Sequence, residues 1–341
     1  MRRTLCRRLL CATYVAMTFL LPVSMAQGIS DETKLKKINI LTNYTFHGRH
    51  SPFFVGLEKG FYRKAGFDVN ILPAAGSGAV ISAVESRKAD YGMADAGPVV
   101  QAVSKGAKIK GISVFMDRTT MGLASVKPFS DLESLKNSKI AASQADSARV
   151  ILPILLKRNG LSDMSIDWQT GDASVYASLL MSGQVDSFTA SIDGDIPALE
   201  KIAKARGEKV HFSSYADWGY EVYGYWLITS ISNLINNRDE TEAFVKATRE
   251  AVLYSIDHPE ETAKIMVKHN TTLNYDTTLT QWRQSMKAID TPYVAKNGYG
   301  AATEQRLEST IQTISEALNL PKNIGSSDVF DNVHKADAIK K

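Results

Sequence analysis

The groups in this chain best suited to hold a small polar molecule are a tyrosine, two histidines and a series of aspartates and serines. Each stands just behind a run of β-like residues. Tyr44 and Phe46 follow Ile38–Leu41, where a ring can stack on a planar ligand or pack between two halves of a fold. His47 and His50 are three residues apart. A metal site needs three or four ligands and no third stands nearby, so hydrogen bonding to a ligand is the better use of these imidazoles. Asp95 lies behind Tyr91–Met93 and ahead of Gly97-Pro98; it can accept from an amine or a ring N–H, or cap the helix whose N-terminus offsets its charge. Ser143 and Ser147 flank another helix start and suit a carbonyl, carboxylate or sulfonate, with capping as the alternative for Ser147. Asp172 reads as a helix cap. Asp193, within Ser191-Ile192-Asp193-Gly194-Asp195, is the best acidic candidate of its region, and Tyr223 stands where it can close over a ligand. Arg149 is the chief argument for an anion.

Three post-strand carboxylates (Asp95, Asp172 and Asp193) against one arginine tilt this set toward a neutral or cationic ligand that donates hydrogen bonds. An aromatic heterocycle with an amino group meets that description. Gly76-Ser77-Gly78 lacks the lysine and the glycine spacing of a phosphate loop, though its N–H groups can meet a ligand oxygen. No catalytic residue, metal or cofactor is expected. There is no Gly-x-Ser-x-Gly elbow and no His-Glu-x-x-His, and the six histidines suggest no triad.

The elements that must position these residues alternate between strand and helix patterns, which points to an α/β architecture with largely parallel sheets. Strands are expected at 38–41, 67–72, 91–93, 109–114, 139–142, 185–189 and 223–230. Between them, Ser51-Pro52 starts a helix carrying Phe53, Phe54, Leu57 and Phe61, and Gly76 to Gly78 open another. Further helices begin near Gly97, Ser147, behind Asp172 and near Asp195. Pro153 implies a bend or a later start in the Ser147 helix. After residue 230 the pattern is helical: Asp239 caps a long helix that His258-Pro259 ends, and two or three more follow. Ligands of open parallel sheets lie beyond the carboxyl ends of the strands, which is why post-strand residues are the candidates.

The N-terminus sets the compartment. Arg2, Arg3, Arg7 and Arg8 precede an apolar stretch from Leu9 to Val23 that ends in Ser24-Met25-Ala26, the pattern of a signal peptide cleaved after Ala26. A soluble periplasmic protein is expected. Both cysteines, Cys6 and Cys11, lie in the leader, which excludes a disulfide framework, a thiolate metal site and a cysteine nucleophile in what remains. The full chain carries 40 Lys+Arg and 36 Asp+Glu; losing the four leader arginines leaves 36 against 36. The excess charge is therefore no sign of nucleic-acid or membrane binding. The remaining residues, about 315, are enough for two lobes.

Three motifs carry a resemblance. Asn43-Tyr44-x5-His50-Ser51-Pro52-Phe53-Phe54-Val55, followed by Glu58-Lys59-Gly60-Phe61-Tyr62-x3-Gly66-Phe67-Asp68-Val69, resembles the opening of the receptor family that serves importers of nitrate, taurine, sulfonates and thiamine pyrimidine precursors. Ala89-Asp90-Tyr91-Gly92-Met93 and Ser182-Gly183-Gln184-Val185-Asp186-Ser187-Phe188 resemble its later signatures. The resemblance spans about residues 36–255. It implies a two-lobed periplasmic binding protein of the type II kind, each lobe a mostly parallel sheet flanked by helices. Mapped here, lobe one is 36–130 plus 225–341, lobe two is 136–222, and the hinge crossings are 131–135 and 223–224. The lobes close on a ligand that contacts both. The implied activity is binding and delivery to the permease and ATPase of an ABC importer, by a monomer. Tyr44 beside Asn43, with His50 ahead of the helix, is closer to the pyrimidine-precursor branch, although that branch usually has tryptophan at position 44. A leader and no later cysteine separate the chain from the cysteine-rich pyrimidine synthases of the same fold. The alternatives are a taurine, alkanesulfonate or nitrate receptor, and a sensor that signals to a membrane kinase.

Overall fold

The computed structural model describes residues 35–144, 146–321 and 324–333. The expected leader, residues 1–26, lies outside them. The first strand, β1 (Lys36–Thr42), alternates exposed and buried side chains and pairs in parallel with β2 (Phe67–Pro73) and β3 (Tyr91–Asp95). Between β1 and β2 run α1 (Ser51–Glu58), with Pro52 in its first turn, and the short α2 (Phe61–Lys64). Proline there needs no N–H partner and already has a helical φ. The next crossovers are α3 (Ser77–Glu85) and α4 (Ala96–Ser104), leading to β4 (Ile109–Val114).

The chain then leaves this sheet. β5 (Met121–Ser125), β6 (Lys139–Ala142), β7 (Asp167–Thr170), β8 (Ser187–Ser191) and β9 (His211–Ser214) form a second sheet in the order β7-β6-β8-β5-β9. Its helices are α5 (Ser147–Arg158), α6 (Tyr176–Met181) and α7 (Ile196–Ala205). The return strand β10 (Tyr225–Ser230) completes the first sheet as β2-β1-β3-β10-β4. Among the described residues seven helices follow it, more than the sequence pattern predicts: α8 (Ile231–Asn236), α9 (Arg238–Asp257), α10 (Pro259–His269), α11 (Tyr275–Ile289), α12 (Pro292–Asn297), α13 (Glu304–Leu318) and α14 (Ser326–Val329).

Each sheet has one strand that runs against its neighbours, β10 in the first and β5 in the second. These are the strands that arrive from the other sheet. The sheets are therefore mixed, each parallel apart from its incoming strand. Because β5 belongs to the second sheet, the first crossing is Phe115–Thr120. The expected position, 131–135, lies between two strands of that same second sheet. The two crossings run side by side: Met116 N donates to Tyr225 O at 3.0 Å, Gly224 N to Met116 O at 3.0 Å and Thr119 N to Val222 O at 3.2 Å. A Cβ at Gly224 would stand 2.3 Å from the Arg118 carbonyl, so only glycine permits this approach.

α5 contains Pro153 on its exposed side and continues through it to Arg158. The proline ring lies on the solvent side, while Ile151, Leu152, Ile154 and Leu155 pack inward. One face of the first sheet is covered by α1, α9 and α11, with Phe53, Tyr62, Tyr91, Phe244 and Trp282 at its centre. On α9 the buried residues Thr241, Phe244, Val245, Thr248, Ala251, Val252 and Ser255 recur at helical spacing. Among the described residues no helix is long and apolar enough to cross a membrane.

Candidate functional site

A cavity of about 70 Å³ opens where the carboxyl ends of the parallel strands of both sheets meet. The first sheet contributes Asn43 and Tyr44 after β1, Gly76 and Ser77 before α3, Asp95 at the end of β3, and Tyr225 at the start of β10. The second contributes Ser143 and Asp146 between β6 and α5, Ser147 at the start of α5, and Thr189, Ser191 and Asp195 around the end of β8. Arg49, from the turn ahead of α1, also reaches the wall.

The structure thus brings Tyr44, Asp95, Ser143 and Ser147 of the expected set to one cavity. Asp95 is buried at the boundary: its Oδ2 accepts from Ser77 Oγ of the first sheet and from Ser147 Oγ of the second, both at 2.9 Å. Asp146 caps α5 by accepting from Ala148 N at 2.8 Å and also accepts from Thr189 Oγ1. Asp195 accepts from Ser191 N at 2.7 Å and from Ser191 Oγ at 3.0 Å.

Four expected contacts lie elsewhere. His47 and His50 are buried behind the wall: His47 Nε2 accepts from Arg49 Nε at 2.8 Å, and His50 Nδ1 accepts from His47 N at 3.3 Å. His50 Nε2 is therefore the protonated nitrogen and donates to Asn43 Oδ1 at 3.3 Å. Burial holds both imidazoles well below their usual pKa range, so they are neutral spacers that fix the arginine. Asp193 is fully buried and spent on Arg49 and Ser285. Tyr223 faces away from the cavity, its hydroxyl on Tyr293 at 3.0 Å and its ring under Arg306. Arg149 is also turned aside, donating to Ala142 O and Thr170 Oγ1 and lying over Trp168. Asp172 caps the turn before α6.

Arg49, Asp146 and Asp195 are the charged wall residues that the sequence reading missed, and Thr189 and Tyr225 are missed polar ones. For Asp146 a signal existed: it immediately precedes the helix start at Ser147, where an aspartate cap belongs. Asp195 likewise precedes a helix with proline in its first turn. Arg49 carried no such mark.

Burial pushes the Asp95 carboxyl up to about 7 against the hydrogen bonds from Ser147 and Ser77, and pushes Asp146 up to about 6. Asp195 is raised by the same cause. Arg49, the only guanidinium among the described wall residues, is 3.1 Å from Asp193 Oδ1, so its charge is met behind the cavity. Raised carboxyls have a consequence for stability. Above the ordinary aspartate pKa the unfolded chain has released protons that folded Asp95 and Asp146 still hold, so their contribution is full in acid and is lost as pH rises through 6 and 7. Asp95→Asn is expected to gain on the parent by up to about 1.4 kcal/mol per pH unit between pH 5 and 7. Urea unfolding of both proteins at each pH checks this, and a pH-independent gap between them would refute it.

A family model described as NMT1/THI5 like matches residues 47–262. A Haemophilus influenzae protein named for thiamine biosynthesis is 23% identical over 246 residues, covering 70% of this chain and 77% of that one. The 4-amino-5-hydroxymethyl-2-methylpyrimidine phosphate synthase of Saccharomyces cerevisiae is 22% identical over 258 residues, 73% of this chain and 75% of the relative. Among solved structures, the periplasmic aliphatic sulphonate binding protein SsuA of Escherichia coli superposes with a TM-score of 0.63 at 14% identity, covering 87% of this chain and 98% of that protein.

Proposed function

We propose, starting from the fact that the chain belongs to the NMT1/THI5-like family, that it is an exported solute receptor. It binds a small amino-bearing heterocycle between two closing lobes and delivers it to the permease and ATPase of an ABC importer. The observation that carries the ligand class is the charge of the wall. Asp95, Asp146 and Asp195 face the cavity, and the one guanidinium among them already has Asp193. A sulfonate would meet carboxylates there, whereas an amine supplies the donors they lack. Arg49 Nη1 has no partner among the described residues and supplies one donor to a ring nitrogen or a carbonyl. Tyr44, at the edge of the cavity, offers a ring face to a planar ligand.

Binding without turnover belongs to the same proposal. The yeast relative is named as a synthase, but this chain has no cysteine beyond Cys11. The test is a thermal-shift and equilibrium-dialysis screen of 4-aminopyrimidines, taurine, alkanesulfonates and nitrate. An aminopyrimidine is expected to bind and to be recovered unchanged; at a hundred times its dissociation constant it adds about 2.7 kcal/mol of stability. A shift with a sulfonate or nitrate and none with the aminopyrimidine, or chemical conversion of the bound molecule, would overturn the reading.

A further inference from the structure

Behind the cavity wall, residues from the first sheet's side of the molecule grip the Ser191–Asp195 turn of the second. We propose that this grip is a latch that holds the two lobes closed without any ligand. Arg49 and Asp193 pair at 3.1 Å with side chains only 2% and 0% exposed. The same guanidinium donates to Ser191 Oγ, is oriented by His47 and lies 4.7 Å from the centre of the Tyr225 ring. From α11, Ser285 Oγ donates to Asp193 Oδ2 at 2.8 Å, and Gln281 Nε2 donates to the Gly194 carbonyl while its Oε1 accepts from Gly48 N. Asp193, Gly194, Gln281 and Ser285 do not line the cavity, so the contacts they make are between the lobes themselves and need no ligand. The latch does not depend on which ligand the cavity takes.

The fit is steric as well as polar. A Cβ on Gly194 would stand 2.7 Å from Arg49 Nη2 and 2.8 Å from His47 Nε2, closer than side chains approach. Only the bare glycine lets this turn seat. A second observation concerns the crossings. A separate cleft of about 750 Å³ runs along them, lined by Asp117, Thr120, Val222, Lys287, Arg306 and Ser309, and it shares no lining residue with the ligand cavity. The cleft takes its walls from both lobes beside the crossings, so it offers room for a rotation about them, and the buried latch opposes that rotation. Because Ser191 and Asp195 sit at the two ends of the gripped turn, the latch also sets them in place before a ligand arrives, which raises the fraction of binding-competent molecules.

The test needs no ligand. With Cys6 and Cys11 changed to serine, Lys88→Cys and Lys201→Cys carry spin labels on the exposed surface of the two lobes, and the full chain is refolded from denaturant to remove any carried molecule. The parent is expected to give mainly the shorter interlabel distance. Asp193→Asn strands the Arg49 charge inside the closed lobes, and Gly194→Ala blocks seating without changing charge. Each is expected to lower the closed-to-open ratio at least about tenfold. Ser309→Trp, which fills the rear cleft from an exposed helix position, is expected to keep the short distance. A parent that is mainly open, or Asp193→Asn and Gly194→Ala folded with the parent's distances, would overturn the latch; unchanged circular dichroism separates opening from unfolding.

Discussion

Truncating Phe244 to alanine is expected to cost about 3–5 kcal/mol of stability. The ring is fully buried on α9. It stacks on Tyr91 at 4.0 Å with the planes 2° apart, on Tyr62 at 5.5 Å and 11°, and meets Phe67 edge-on at 6.2 Å. Those rings come from β3, α2 and β2, so one side chain ties two strands of the first sheet and the helix α2 to α9. The neighbouring tyrosines depend on the same helix: Tyr91 Oη lies 3.2 Å from Thr241 Oγ1 and Tyr62 Oη 3.3 Å from Thr248 Oγ1. A cavity left at this junction has little that can collapse into it, because the surrounding rings are held at their hydroxyls. Phe244→Leu keeps most of the volume and is expected to fall between the parent and the alanine variant. Urea unfolding is the measurement. Ligand affinity is expected to be unchanged in the folded fraction, since Tyr91 opens the strand that Asp95 closes. A loss below about 1 kcal/mol would mean that the junction repacks.

That junction was legible from sequence, while half of the site was not, and the reason is physical. Phe53, Phe54 and Phe61 fall at helical spacing, and Phe67–Leu72 alternates, so local periodicity alone gives the elements that build the first sheet. The rule that ligands sit beyond the carboxyl ends of parallel strands then places Tyr44, Asp95, Ser143 and Ser147 at one cavity. Periodicity fails where pairing is supplied from elsewhere. β5 is Met-Gly-Leu-Ala-Ser, without a β-branched residue, and it is a strand because β8 and β9 flank it on both sides. Missing it moved the expected crossing to 131–135. Arg49 was hidden for a similar reason. Between two histidines and ahead of Ser-Pro-Phe-Phe it reads as an exposed residue at a helix start, yet its partners Ser191 and Asp193 come from more than 140 positions away. Asp193 followed from that error: a carboxylate after a strand is available to a ligand only if no buried cation claims it first.

Neutralising the acidic wall is expected to move stability and binding in opposite directions. Asp146→Asn with Asp195→Asn keeps the backbone hydrogen bonds, because an asparagine oxygen accepts from Ala148 N or Ser191 N as the carboxylate does, and asparagine caps a helix about as well as aspartate; the Thr189 hydroxyl, which donates to the second Asp146 oxygen, turns to accept from the new amide. What the substitutions remove is charge that burial already disfavours in both groups. At pH 8 the ligand-free variant is therefore expected to be more stable than the parent, and the difference is expected to shrink at pH 5, where the parent's Asp146 is protonated and position 146 is uncharged in both proteins. Binding should respond the other way. A hydrogen bond to a charged partner is worth about 1.5–3 kcal/mol, so a 4-aminopyrimidine is expected to bind the variant about 10- to 100-fold more weakly at pH 8 by calorimetry. The parent's own affinity for that probe is expected to rise from pH 5 to 8 as Asp146 and then Asp95 ionise. If the variant instead loses stability and keeps its affinity, the carboxylates are structural caps and the ligand class must be sought elsewhere. The opposed pair of signs identifies a wall whose ionised carboxylates are held, at a cost in stability, for a ligand that supplies their missing donors.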